Sequence, residues 1–173
     1  MNRRSARAIV AVACTLAAGT ACTSTVSGSA LPAPGPAPSS SPGNSDVFAG
    51  LNACQLLDQL NAGQGFNPGE NKSARNQCTA SKPEFITYSL ALDSTQGLSG
   101  FAADNTGARE ISINGRDALQ ADIPTGGCAV AVGVGEHALA LVLATMARAS
   151  EDAQGCPNAQ AFAEKVEPLL PAG

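Results

Sequence analysis

Apolar residues recur in two rhythms along this chain. Val47, Leu51, Cys54, Leu57 and Leu60 follow one another at intervals of three and four, the spacing of one helical face. Ser45 or Asp46 stands where a cap belongs, so a helix is predicted from there to near Gly63. Ala62 to Arg75 is rich in Gly, Asn and charge, contains Asn67-Pro68-Gly69, and reads as an exposed loop. Beyond it the period falls to two. Ile86, Tyr88, Leu90 and Leu92 alternate with Phe85, Thr87, Ser89 and Ala91, the mark of a half-buried strand, and a shorter strand carries Cys78 ahead of Pro83. Glu110 to Ile113 and Arg116 to Ile123 flank Asn114-Gly115, a dipeptide suited to the type I′ turn of a hairpin. A further strand runs from Cys128 to Val134. In Ala138 to Thr145 the composition suits a helix, but Leu139, Leu141 and Leu143 alternate, and the period of two favours a strand. Pro157 opens a closing helix with Ala159, Phe162, Ala163, Val166 and Leu170 on one face. The expected fold is α+β: an antiparallel sheet of about five to six strands, with an N-terminal and a C-terminal helix packed on one face.

The front of the chain follows neither rhythm. From Ala8 to Ser45 it has no charged residue. Arg3, Arg4 and Arg7 form a basic head, Ala8 to Ala18 an apolar run of eleven, and Gly19, Thr20 and Ala21 precede Cys22. This is the three-part pattern of a secretory signal peptide, residues 1–21, and the run is shorter than the roughly 20 residues a membrane-spanning helix requires. Ala18-Gly19-Thr20-Ala21-Cys22 resembles the bacterial lipobox, with Gly19 where Leu is commonest, and the resemblance implies that Cys22 is acylated. Each buried methylene contributes about 0.8 kcal/mol, so two or three acyl chains anchor firmly. Residues 22–45 then form the lipidated cysteine and a tether. Thr23 to Ser45 holds five Pro, seven Ser and three Gly, a composition that favours extended polyproline II. Its 23 residues reach roughly 70 Å at about 3.1 Å each. Residues 46–173 are left as a single folded domain.

Charge and composition narrow the partners. Beyond Arg7, seven of the ten basic residues face all fourteen acidic ones, a formal net charge of −7. Nucleic acid is a poor partner for such a chain. Aromatic platforms for sugars or bases are scarce too, with five Phe, one Tyr and no Trp. Four cysteines remain after Cys14 and Cys22 are set aside, and in an exported domain they imply two disulfides. Of three pairings, Cys54 with Cys78 and Cys128 with Cys156 each close a local loop and are favoured. Their spacings include no Cys-x-x-Cys, and His137 is near none of them, so no metal site is expected.

Other motifs fall short of chemistry. Gly133-x-Gly135-x-x-Ala138 matches a loose dinucleotide fingerprint, but it lies between predicted antiparallel strands rather than at the start of a helix. Gly97-Leu98-Ser99-Gly100 lacks the nucleophile-elbow spacing. His137, the sole histidine, stands beside Glu136 in a predicted turn with no nucleophile assigned to it. Glu151-Asp152 lacks the ligand rhythm of a calcium loop. No catalytic residue and no cofactor are expected.

Cys54-Gln55-Leu56-Leu57, Cys78, Gly115-Arg116-Asp117-Ala118, Cys128-Ala129-Val130-Ala131-Val132 and Cys156-Pro157-x-x-Gln160-Ala161 together resemble the actinobacterial lipoproteins of the domain of unknown function 3558 family, over roughly Leu51 to Pro171. Ala53 and Ala80 depart from the family's proline and aromatic positions. The resemblance implies a secreted envelope lipoprotein and supplies no catalytic residue. The expected function is a lipid-anchored, non-enzymatic protein on the outer face of the cell membrane that binds an envelope protein or a hydrophobic ligand. A lipid carrier is the rival, because the small residues Ala129, Ala131, Gly133 and Ala138 would leave room between sheet and helices. An enzyme with a site around His137 is another.

Overall fold

The computed structural model describes residues 46–172 apart from Thr125. Nine residues form α1 (Ala53–Asn61), followed by β1 (Gln77–Lys82), β2 (Ile86–Asp93) and a short α2 (Leu98–Asp104). Strands β3 (Arg109–Ile113), β4 (Arg116–Asp122), β5 (Cys128–Gly133) and β6 (Leu139–Met146) come next. A 3-10 turn at Ala149–Gln154 leads into α3 (Gly155–Val166). The six strands make one antiparallel sheet in the order β1-β2-β6-β5-β4-β3. Strand β6 alternates as expected because it is central: its Ala140, Val142, Ala144 and Met146 are buried on one face, with Leu141 and Leu143 half-buried on the other. Asn114 and Gly115 have φ of 51° and 90°, the left-handed pair that a type I′ turn requires.

The helix expected from Asp46 starts later, at Ala53. Gly50 at φ 86° turns the chain, and Asn52 accepts the N–H groups of Cys54 (3.0 Å) and Gln55 (3.1 Å) as the true cap. Asp46 instead caps a separate turn, accepting Phe48 N–H at 3.0 Å, and that turn drops Phe48 into the core at 1% exposure.

Helices α1 and α3 cover one sheet face, where Leu57, Leu90, Val130, Val132, Val142, Phe162 and Val166 form the main core. Tyr88 is stacked there between Phe66 and Phe162, with ring centroids 5.6 and 4.2 Å away. The expected amino- and carboxy-terminal helices thus share one face, and the structure adds a third helix that the sequence pattern did not predict. Helix α2 lies on the opposite face, where Phe101 and Leu98 pack on Leu119, Ala131 and Leu139 in a second, smaller cluster. Glycine makes this approach possible: a Cβ on Gly97 would collide with the Glu136 carbonyl oxygen.

Candidate functional site

Cys22, the expected signal peptide (1–21) and the expected tether (22–45) lie outside the described residues. The other four cysteines are paired locally, Cys54–Cys78 with Cα atoms 5.0 Å apart and Cys128–Cys156 with Cα atoms 4.9 Å apart. The first fastens α1 to β1 and the second fastens α3 to β5. Asp122 Oδ1 lies 3.3 Å from Cys156 Sγ, so Asp122, Cys128 and Cys156 sit within metal-ligand reach of one another. Both sulfurs are consumed in the disulfide, which leaves one carboxylate and no thiolate to hold an ion.

The remaining candidates are scattered. His137 is 68% exposed in the β5–β6 turn, its Nε2 3.8 Å from Glu136 Oε2. The Gly133-x-Gly135-x-x-Ala138 segment is that same turn, closed by Val134 N–H on the Ala138 carbonyl at 2.9 Å, and β6 rather than a helix follows it. Gly97-Leu98-Ser99-Gly100 opens α2. Of the small residues weighed for a lipid pocket, Ala129 and Ala131 lie under α2 rather than between the sheet and α1/α3. Gly133 gives its space to α2 as well: a Cβ there would meet Leu98 Cδ1 at 3.0 Å.

The Gly-Arg-Asp-Ala segment is explained by contacts that spacing alone does not reveal. Arg116 Nε donates to Glu167 Oε1 at 3.0 Å, and its Nη1 donates to the Pro171 carbonyl at 2.9 Å. Asn114 Nδ2 donates to the Glu164 carbonyl at 2.9 Å. The hairpin turn thereby clamps the end of α3 and the chain beyond it, with the ion pair largely shielded from solvent. Ala118 packs into the core, while Asp117 faces outward.

Asp117 belongs to an open groove on the α2 face. Leu98, Ser99 and Ala102 of α2 form one wall and Glu110, Ile111 and Leu119 of the hairpin the other, enclosing about 520 Å³. It adjoins a more polar hollow of about 570 Å³ around Arg116, which shares Leu98 and Asp117. A third hollow, of about 460 Å³, includes Asp93, Arg75, Leu139 and Leu141. Burial pushes the Asp93 carboxyl up, but hydrogen bonds from the Thr95 hydroxyl and from the Thr95 and Gln96 N–H groups, together with the Arg75 charge, hold it below the usual carboxylate range.

A family model described as "Protein of unknown function (DUF3558)" matches residues 17–169. The chain belongs to this family. No curated protein matches the chain, and no solved structure does. The DUF3558 match spans Cys22, both disulfides, the Arg116–Glu167 pair and the α2 groove.

Proposed function

We propose that this DUF3558 member is an actinobacterial-type envelope lipoprotein, anchored through acylated Cys22 outside the membrane, whose domain binds a partner protein and catalyses nothing itself. One observation carries the choice of a protein partner over a lipid cargo. The α1/α3 face is filled by Leu90, Val130, Val132 and Val142, each at 0% exposure, whereas the α2 face offers open grooves. An acyl chain needs an enclosed apolar cavity, and a protein surface is met by an open one. The anchor reading rests on the lipobox-like segment and on the family match starting at residue 17, ahead of Cys22. No helix among the described residues is long and apolar enough to cross a membrane.

Metabolic labelling with an alkyne fatty acid tests the anchor. Label is expected on the wild-type chain and lost in Cys22→Ala, and label persisting in the variant removes Cys22 as the site. Crosslinking in the native envelope tests the partner, with one or a few recurrent protein neighbours expected on the domain. A co-purified acyl lipid in native mass spectrometry, or a turnover abolished by His137→Ala, overturns the reading in favour of a carrier or an enzyme.

A further inference from the structure

The two edges of the sheet are finished differently. The outer edge of β1 is covered by the chain's own loop. Glu70 N–H donates to the Thr79 carbonyl at 2.9 Å, Thr79 N–H to the Glu70 carbonyl at 3.0 Å, and Asn67 N–H to the Ser81 carbonyl at 2.8 Å. At the other edge β3 has no covering segment among the described residues. Its two-residue turn makes Ile113 and Arg116 a hydrogen-bonded pair, so Arg109, Ile111 and Ile113 direct their backbone groups to β4. Glu110 and Ser112 direct theirs outward, both are exposed, and neither has a backbone partner beyond the sheet among the described residues. An uncovered edge is a template for another strand.

Beside this edge runs the groove whose apolar surface comes from Leu98 and Ala102 of α2 and Leu119 of β4. Glu110 and Asp117 also line it, and neither carboxylate takes part in an ion pair among the described residues. Apolar floor and acidic rim together select a segment with aliphatic and basic side chains. A second copy of the chain suits the edge badly. Antiparallel pairing of two β3 strands about Ile111 would set Glu110 diagonally across from the partner's Glu110, with both Asp117 carboxylates on the same face, and like charges so placed repel.

We infer that the β3 edge takes an extended segment of the partner protein as a seventh strand, with a Lys or Arg lying between Glu110 and Asp117 and, two residues along on the same face, an aliphatic side chain in the groove against Leu98 and Ala102. This inference rests on the partner-binding reading and names the surface and chemistry that serve it. The probe is the peptide acetyl-Thr-Lys-Thr-Val-Thr-amide, in which Lys and Val share one face, titrated into the full chain in detergent and followed by backbone NMR, with the Glu-for-Lys peptide as control. At saturation the Glu110 and Ser112 amides should exchange at least about tenfold more slowly while Thr79 is unchanged. The Glu peptide should bind at least about tenfold more weakly, and Glu110→Gln with Asp117→Asn should abolish that preference.

Ser112→Pro removes one outward N–H and should prevent binding. Ala102→Arg blocks the groove from α2 with β3 untouched, and should weaken binding by about tenfold even if the proline variant folds poorly. Unchanged exchange at Glu110 and Ser112, equal binding of both peptides, or a dimer that protects the same amides without peptide overturns the inference. Crosslinks to a protein neighbour that arise only from surfaces other than β3 and α2 also overturn it and leave the partner-binding reading standing. No protein crosslink from any surface removes both.

Discussion

Arg116 pairs with Glu167 across 51 residues of sequence and also holds the Pro171 carbonyl. Removing the guanidinium leaves the shielded Glu167 carboxylate without its partner. Arg116→Met should therefore cost about 2 kcal/mol, less than the roughly 3–5 kcal/mol of a fully buried broken pair because the site is partly wet. Urea unfolding measures it, and a double-mutant cycle with Glu167→Gln should show coupling above about 0.5 kcal/mol. Asp93 acts through pH. Its folded pKa lies below the unfolded value, so its contribution is present above the unfolded pKa, near 4, and is lost as the pH falls through the folded one. Asp93→Asn should flatten the fall in stability below about pH 4, as read by thermal melts across that range. The Gly-Arg-Asp-Ala segment stood out in the sequence, yet its role did not, because Glu167 and Pro171 reach Arg116 only through the packing of α3.

Among the elements, those with a half-buried surface were the legible ones. Strands β2 and β6 announce themselves because successive residues meet core and solvent in turn. Helix α2 gave no signal: seven residues anchored by Leu98 and Phe101 are too few to establish a helical period, and so the second sheet face was missed together with the groove. The premature start assigned to α1 has a related cause. Val47 and Leu51 have helical spacing from Cys54, but they reach the core from a turn, which Gly50 permits and periodicity cannot distinguish. Local disulfide pairing was readable from loop length alone. The Cys128–Cys156 bridge spans 28 residues and joins β5 to α3, so Cys128→Ser with Cys156→Ser should lower stability by about 3 kcal/mol in denaturant unfolding.

For the molecule as a whole, the acidic balance, the two cysteine staples and the α+β class follow from the sequence, whereas the binding face does not. Which strand ends at an edge depends on sheet order, and order depends on long-range pairing. Here that order places β6, the last strand in the chain, between β2 and β5. Until it arrives, the β1-β2 hairpin and the β3-β4-β5 meander have no strand to join them. A chain emerging amino end first is thus held in two unjoined halves until residues near Met146 are free, and only then can α3 close the sheet. Oxidation should proceed in the same sequence. In acid-trapped refolding, the Cys54–Cys78 link is expected before Cys128–Cys156, so the amino-terminal bridge records early assembly and the carboxy-terminal bridge records its completion.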